Sequence, residues 1–219
     1  MIFDKDKLLV YAITDRILFS EEEKIFFNRV EEVLKSGIKC LQFRNKDISK
    51  KDFLKKAIVL RDLCKKYNAL FIINDEVEIA IKIKADGVHV GQEDMEAQKA
   101  RKMIGKDMIL GVSCENLEQA ILAEKNGADY LGVGAIFKTN SKDDAKTVSR
   151  EMLEKICESV KIPVVAIGGI NEENMDLLSG IKLGGFAMIQ AIFGAHDIKM
   201  QCERLILKSK KIIGGNHES

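Results

Sequence analysis

The stretch Gly87-Val88-His89-Val90-Gly91-Gln92-Glu93-Asp94 contains the pattern that decides the fold, a short apolar run followed by a glycine and polar side chains. Short runs rich in Val, Ile and Leu recur eight times, and each is followed by a longer stretch with helical periodicity. This alternation is typical of successive βα units around a parallel sheet. The predicted strands cover residues 8–13, 40–43, 70–73, 87–90, 108–112, 130–133, 164–167 and 185–189.

Eight βα repeats within 219 residues predict a single (β/α)8 TIM barrel, at a length where such a barrel still forms one domain. A doubly wound parallel sheet is the alternative, but that fold seldom needs eight evenly spaced strands. We therefore expect one catalytic domain over residues 1–219. Because apolar residues become sparse after Ile213, we expect a flexible tail over about 209–219.

The charge balance and the cysteines limit the classes of function. A formal net charge of +1 gives no global field for nucleic acid or an anionic membrane, so we expect small-molecule partners. The five cysteines are far apart and form no C-x-x-C pair, which argues against a disulfide framework or a zinc site. The first apolar run is too short for a signal sequence or a membrane span, so we expect a cytoplasmic protein. The sequence leaves the oligomeric state open, a homo-oligomer included.

The segment after the second predicted strand carries the first candidate binding groups. Catalytic and binding residues of a barrel lie at the carboxyl ends of its strands. Strand alternation would place Gln42 and Arg44 on one face and Phe43 on the other. An amide matches the edge of a heterocycle, and the Arg44 guanidinium and the Lys46 ammonium match phosphate oxygens. The alternative is that Arg44 pairs with a carboxylate inside the barrel.

Two carboxylates follow the third and fourth strands. Asp75 ends the run Phe71-Ile72-Ile73-Asn74-Asp75, and Asp94 ends the run quoted first. Neighbouring strands of a closed barrel would bring both to one rim, where a shared Mg²⁺ would relieve their repulsion. Mg²⁺ usually lies between one or two carboxylates and substrate phosphates, so the pair predicts a diphosphate substrate. The alternative is that each aspartate caps the next helix, which is the commoner role for an isolated residue of this kind.

Later strands add weaker signals. Ser113 ends the fifth strand and could donate to a phosphate or a base edge, and His89 is expected to be a hydrogen-bonded imidazole inside the barrel. The polar stretch 138–147 after the sixth strand suits a phosphate-binding lid, although an ordinary surface loop has the same composition. Two consecutive glycines, Gly168 and Gly169, follow strand seven. Together with the end of strand eight they fit the phosphate site that recurs in barrels, and the alternative is a tight turn.

Taken together, these motifs resemble the thiamine-phosphate synthase family. The match runs from about Leu8 to Ile192 and is specific in order and spacing. It rests on Gln42-Phe43-Arg44-Asn45-Lys46, Asn74-Asp75, residues 86–94, Gly111-Val112-Ser113, residues 128–134 and residues 166–170.

The resemblance implies a Mg²⁺-dependent transferase that joins 4-amino-2-methyl-5-(diphosphooxymethyl)pyrimidine to a thiazole phosphate, or its carboxylated form. The products are thiamine phosphate and pyrophosphate, by a dissociative route. It implies Asp75 and Asp94 as metal ligands, and Arg44, Lys46, Lys142 and Ser113 as catalytic residues. It assigns the pyrimidine diphosphate to Gln42, Phe43, Arg44, Asn45, Lys46, Asn74, Ser113 and Lys142, and the thiazole phosphate to Thr139, Asn140, Ser141, Gly169, Ile189 and Gln190.

Four positions depart from the family pattern. Ser141 stands where Thr is frequent, and Gln190 replaces a small Ser at the phosphate end of strand eight. Ala135 and Lys138 stand where prolines are common, which would loosen the lid.

Three rival functions are weaker. A related thiazole tautomerase lacks the complete metal set. A Schiff-base aldolase needs a lysine projecting from a strand, and the predicted strands offer none. A non-catalytic binder has no need of two metal carboxylates.

Overall fold

The computed structural model describes residues 3–15, 22–139 and 147–214, and these form a closed parallel barrel of eight strands in sequential order. The predicted (β/α)8 TIM barrel is confirmed. The strands are β1 (Val10–Ile13), β2 (Cys40–Phe43), β3 (Leu70–Asn74), β4 (Gly87–Val90), β5 (Ile109–Cys114), β6 (Tyr130–Val133), β7 (Val164–Ile167) and β8 (Gly185–Met188). Pairing of β1 with β8 closes the barrel through the register Tyr11 to Ala187.

The helices of the described ranges surround this barrel. They are α1 (Glu23–Lys35), α2 (Lys50–Lys66), α3 (Val77–Ile83), α4 (Ala97–Ile104), α5 (Leu117–Lys125), α6 (Arg150–Ser159), α7 (Gln190–Phe193) and α8 (Ile198–Gly214). Short 3₁₀ helices precede β1 (Lys5–Leu8) and follow β7 (Met175–Leu178). No helix in the described part of the chain combines the length and apolarity needed to cross a bilayer.

The element boundaries differ from the predicted ones at several places. Strand β3 extends to Asn74, and β5 covers Ile109–Cys114 instead of 108–112. The first strand begins at Val10 because Leu8 belongs to the preceding 3₁₀ helix. The last strand ends at Met188, and Ile189 is the N-cap of α7. The tail predicted from residue 209 is wrong for 209–214, which form the end of α8 with Ser209 and Ile212 buried.

The core has two layers because side chains of a barrel strand alternate between the interior and the helices. The outer layer packs the barrel against the helices and includes Leu41, Phe43 and Phe71. The inner layer contains Tyr11, Ile13, Cys40, Leu70, Ile72, Ile109, Tyr130, Val165 and Ala187. The interior is therefore filled below a mouth at the carboxyl ends of the strands.

Candidate active site

A cavity of about 910 Å³ opens at the carboxyl ends of the strands. This volume suits a small-molecule ligand of drug size. Its lining contains every predicted site residue in the described ranges except Phe43 and Asn45. The charged and polar lining side chains are Tyr11, Asp15, Gln42, Arg44, Lys46, Asn74, Asp75, His89, Gln92, Glu93, Asp94, Ser113, Glu115, Gln119, Tyr130, Lys138, Thr139, Asn171 and Gln190.

The carboxyl end of β1 positions Arg44. Thr14 Oγ1 donates to the Arg44 carbonyl (3.1 Å) and accepts from the Arg44 amide (3.0 Å), so the backbone is held from both sides. The guanidinium Nη1 lies 3.3 Å from Asp15 Oδ1. The pairing of Arg44 with an interior carboxylate, which we considered as an alternative, is therefore present. It leaves the Arg44 side chain 25% exposed toward the cavity, which still permits ligand binding.

Two residues assigned through the family resemblance lie outside the cavity lining. Phe43 is fully buried in the outer core, 4.3 Å from the ring of Phe53 between centroids. Strand alternation turns its side chain toward the helices and away from the cavity, and its assignment to the substrate stays a prediction. Asn45 is also buried, and its Oδ1 accepts from the Asp47 amide (3.0 Å), so it shapes the turn after β2. Its Nδ2 is buried without a hydrogen-bond partner among the described residues, and the assignment of Asn45 to the substrate stays a prediction.

Asp75 is held at the rim by its neighbours on three sides. Its amide donates to the His89 carbonyl (2.9 Å), and its backbone has φ +60°, a conformation that aspartate tolerates better than most residues. Asn74 Nδ2 donates to Asp75 Oδ2 (2.6 Å), and Lys46 Nζ lies 3.4 Å from the same oxygen. Asn74, Asp75 and Lys46 thus form one polar group at the rim.

Asp94 is drawn back over the end of β4. Its Oδ2 accepts from the Gly91 amide (3.0 Å), and a Cβ at position 91 would lie only 2.6 Å from that oxygen. Helices α3 and α4 are capped by Glu76 and Glu96, neither of which makes a side-chain cap hydrogen bond. The helix-cap alternative is therefore wrong for both aspartates.

The two carboxylates interact electrostatically. Burial and the hydrogen-bonding, negatively charged Asp94 raise the pKa of Asp75 to about 6, against the opposing effect of Lys46. A cation between the two would remove this repulsion. In the described ranges no third His, Cys, Asp or Glu joins them in a metal-binding group. Two carboxylates with room for water and phosphate oxygens fit Mg²⁺ better than a closed transition-metal site.

The floor of the cavity is a chain of hydrogen bonds across the barrel. Gln42 Nε2 donates to Tyr11 Oη (2.7 Å), and the hydroxyls of Tyr11 and Tyr130 are 2.8 Å apart. Tyr130 Oη lies 3.0 Å from His89 Nδ1, and His89 Nε2 lies 2.9 Å from Ser113 Oγ. We call these five residues the floor chain. His89 is the hydrogen-bonded interior imidazole that we expected, and its burial lowers its pKa to about 4.

Glycines on β5 and β6 make room for this chain. A Cβ at Gly111 would lie 2.2 Å from Tyr130 Cζ and 2.4 Å from His89 Nδ1. A Cβ at Gly132 would lie 3.1 Å from His89 Cε1. Gly111 and Gly132 thus leave room for the interior side chains, whereas a Cβ at Gly134 would collide with the backbone carbonyl of Ile167.

The opposite rim is built from the loops after β6, β7 and β8. Gly168 and Gly169 have φ of +99° and +62°, and a Cβ at Gly169 would lie 2.5 Å from the Lys138 carbonyl oxygen. Glycine is thus required at these two positions by the backbone conformation and by the close approach of the loop after β6, whether or not a ligand binds there. Ile189 and Gln190 line the cavity where α7 begins without a side-chain cap.

Part of the predicted phosphate loop lies outside the described residues. Thr139 lines the cavity, but Asn140, Ser141 and Lys142 belong to the range 140–146 that the structure does not describe. The lid prediction and the roles of these three residues stay predictions.

Sequence reasoning missed several cavity residues. Asp15 follows β1 as Asp75 follows β3, so its position at a strand end was a usable signal. Tyr11 and Tyr130 are phenols on interior positions, where a hydroxyl needs a partner, but their pairing across the barrel depends on tertiary structure. Glu115 and Asn171 lie on loops and Gln119 in the first turn of α5, with no distinctive pattern.

Comparisons with known proteins agree with the geometry. A family model described as thiamine monophosphate synthase matches residues 10–192. The thiamine-phosphate synthase of Clostridioides difficile is 46% identical over 204 residues, covering 93% of this chain and 96% of that protein. The thiamine-phosphate synthase of Methanobrevibacter smithii is 45% identical over 203 residues, covering 93% and 96%. The structure of thiamine phosphate pyrophosphorylase from Pyrococcus furiosus is similar with a TM-score of 0.86 at 40% identity, covering 96% of this chain and 99% of that one.

Proposed function

Because the chain belongs to the thiamine monophosphate synthase family, we propose that its cavity joins 4-amino-2-methyl-5-(diphosphooxymethyl)pyrimidine to a thiazole phosphate or carboxythiazole phosphate. The products are thiamine phosphate and pyrophosphate, and CO₂ is released as well when the thiazole carries the carboxylate. The proposal includes dependence on Mg²⁺ and, since the five cysteines are buried free thiols, a cytoplasmic location.

The observation that carries this proposal is the meeting of two carboxylates and two cations on one rim. Asp75 lies beside Asp94, Lys46 approaches Asp75 at 3.4 Å, and Arg44 reaches the same cavity from β2. A diphosphate carries several negative charges, which need both a metal ion and basic side chains to be neutralised. Asp75 and Asp94 would hold Mg²⁺, and Arg44 and Lys46 would donate to the diphosphate oxygens.

The rest of the cavity suits the organic parts of the substrates. Gln42 and Ser113 on the floor offer hydrogen bonds to a heterocycle, between apolar walls that include Ile13 and Val165. Across the mouth, Gly169 and the start of α7 would receive the thiazole phosphate, as loops after strands seven and eight do in many barrels. This arrangement sets the diphosphate and the thiazole phosphate on opposite sides.

The chemistry then needs no protein nucleophile. The bond between the pyrimidine methylene carbon and the diphosphate oxygen breaks, and both electrons leave with pyrophosphate. Arg44 and Lys46 stabilise the charge that grows on this leaving group. Mg²⁺, when bound, supplies further charge neutralisation there. The amino-substituted ring stabilises the methylene cation, and the lone pair of the thiazole nitrogen forms the new C–N bond.

None of the eight strands in the described part of the chain carries a lysine, which speaks against the Schiff-base aldolase. The proposed reaction is tested by measuring pyrophosphate release with each substrate alone and with both. We expect release coupled to thiamine phosphate formation, lost with EDTA and restored by Mg²⁺. Equilibrium binding of both compounds without release would favour a non-catalytic binder, and release unaffected by EDTA would contradict the Mg²⁺ dependence.

A further inference from the structure

We propose that the floor chain has a fixed direction of proton donation, and that this direction makes Gln42 an acceptor and Ser113 a donor toward the ligand. Tyr11, Tyr130 and His89 are then positioning residues for specificity. The proposal deepens the proposed function, because the ligand it concerns is the pyrimidine.

The direction follows from counting protons. An amide nitrogen can only donate, so Tyr11 Oη accepts from Gln42 Nε2 at 2.7 Å. Tyr11 is fully buried, and its hydroxyl proton needs an acceptor. The hydroxyl oxygen of Tyr130 lies 2.8 Å away. The thiol of Cys40 is also near, but sulfur is a much weaker acceptor than oxygen. Tyr11 therefore donates to Tyr130.

The same count continues across the barrel. Tyr130 is also fully buried, and once it accepts from Tyr11 its proton goes to His89 Nδ1 at 3.0 Å. Because Nδ1 accepts this hydrogen bond it carries no proton, so the N–H of the imidazole lies on Nε2. That N–H donates to Ser113 Oγ at 2.9 Å, and the Ser113 hydroxyl proton is left for the cavity.

With Gln42 Nε2 facing Tyr11, every other direction leaves a buried phenol proton without an oxygen or nitrogen acceptor among the hydrogen bonds of the described residues. If His89 donated from Nδ1, Tyr130 or Tyr11 would have to accept twice and place its proton elsewhere. An unsatisfied buried donor disfavours such an arrangement roughly 5- to 100-fold. One direction therefore dominates.

The two ends of the chain present a matched pair to the cavity. Gln42 turns Nε2 toward Tyr11, which leaves Oε1 as an acceptor, while Ser113 offers a donor. An aminopyrimidine supplies an amino donor for Gln42 Oε1 and a ring-nitrogen acceptor for the Ser113 hydroxyl. A 4-oxopyrimidine places a carbonyl acceptor where Gln42 Oε1 needs a donor. The floor chain thus selects the amino form and rejects the oxo form.

The direction is tested without substrate by ¹⁵N NMR of histidine-labelled protein, with the signals of His89 assigned by their loss in His89→Gln. We expect His89 to be neutral at pH 7 with its proton on Nε2, and Tyr130→Phe to yield a mixture of tautomers. A wild-type protein with the proton on Nδ1 would overturn the proposal even if thiamine phosphate is formed.

Specificity is tested with Tyr11→Phe, which keeps the ring and removes the acceptor of Gln42. We expect about a tenfold rise in KM for the aminopyrimidine diphosphate, little change in kcat, and weaker rejection of the 4-oxo analogue as an inhibitor. Tyr67→Phe is the matched control, because Tyr67 donates to Glu31 on the outside of the barrel. An unchanged preference for the amino form in Tyr11→Phe would contradict the proposal. If the NMR result holds but no pyrimidine diphosphate reacts, the proposed function fails while the floor chain stands.

Discussion

The rim of the cavity and its floor place polar groups under opposite conditions. At the rim, Lys46 and Asp94 are exposed, and Asp94 accepts a hydrogen bond from the Gly91 amide. On the floor, Tyr11 and Tyr130 are fully buried and hydrogen bonded to each other. Charges that are held loosely remain able to bind ions and phosphates, whereas the buried neutral groups fix a geometry. We therefore expect rim substitutions to change activity and floor substitutions to change stability and specificity.

The largest effect is expected for Asp94→Ala. Loss of one metal carboxylate should lower kcat/KM about a thousandfold or more, while thermal stability changes little because the side chain is exposed. Steady-state pyrophosphate release and a melting curve measure the two quantities. Asp107→Asn is the control, since Asp107 is exposed and precedes β5 at the other end of the barrel. Wild-type rates in Asp94→Ala would remove this residue from the site.

Gly91→Ala tests the rim by displacing the Asp94 carboxylate. The new Cβ would lie 2.6 Å from Asp94 Oδ2 and would push the carboxylate away from its present position. We expect kcat/KM to fall about ten- to a hundredfold, partly recovered at high Mg²⁺ concentration. In Gly214→Ala, where a Cβ meets nothing within 4 Å, the rate should be unchanged. Equal rates for both variants would mean that the position of Asp94 is not critical.

The free energy of unfolding should depend on pH because of His89 in the floor chain. The pKa of His89 is about 4 in the folded protein against 6.5 for an exposed histidine, so the unfolded chain binds an extra proton between these values. The contribution of the neutral His89 to the free energy of unfolding is complete above pH 6.5. It is lost as the pH falls toward 4, and the loss is about 2 kcal/mol at pH 4.5. Urea unfolding at pH 7 and 4.5 should show this loss reduced in His89→Gln. The same pH dependence in both proteins would refute a buried neutral His89.

The smallest effect is expected at the opposite rim. In Gln190→Ser, the KM for the thiazole phosphate should change about three- to tenfold at constant kcat, the effect of one hydrogen bond. Initial rates at varied thiazole phosphate concentration measure it. If KM stays constant, the Gln190 side chain does not contact that substrate.

The sequence was sufficient for the barrel and for most of the rim. Eight apolar runs determined the strands, and the strand-end rule brought Asp75 and Asp94 together. For Phe43, strand alternation correctly predicted an outward-facing side chain, whereas the family resemblance names the whole segment and does not separate its inward-facing from its outward-facing residues. The turn formed by the Asn45 side chain is not visible in a motif.

The floor chain could not be predicted in the same way. Tyr11 and Tyr130 are 119 positions apart in sequence and meet only because the barrel closes. The glycines that accommodate them, Gly111 and Gly132, had a local signal in their motifs but no indication of the side chains they face. Sequence patterns therefore predicted groups attached to strand ends better than contacts across the interior.

The central claim is that the rim binds a diphosphate together with Mg²⁺, and calorimetric titration of pyrophosphate tests it most directly. We predict that Mg²⁺ tightens binding to the wild-type protein about tenfold or more, and that Asp94→Asn abolishes this gain while retaining the metal-independent affinity due to Arg44 and Lys46. Equal pyrophosphate affinity of the wild-type protein with and without Mg²⁺ would contradict the claim.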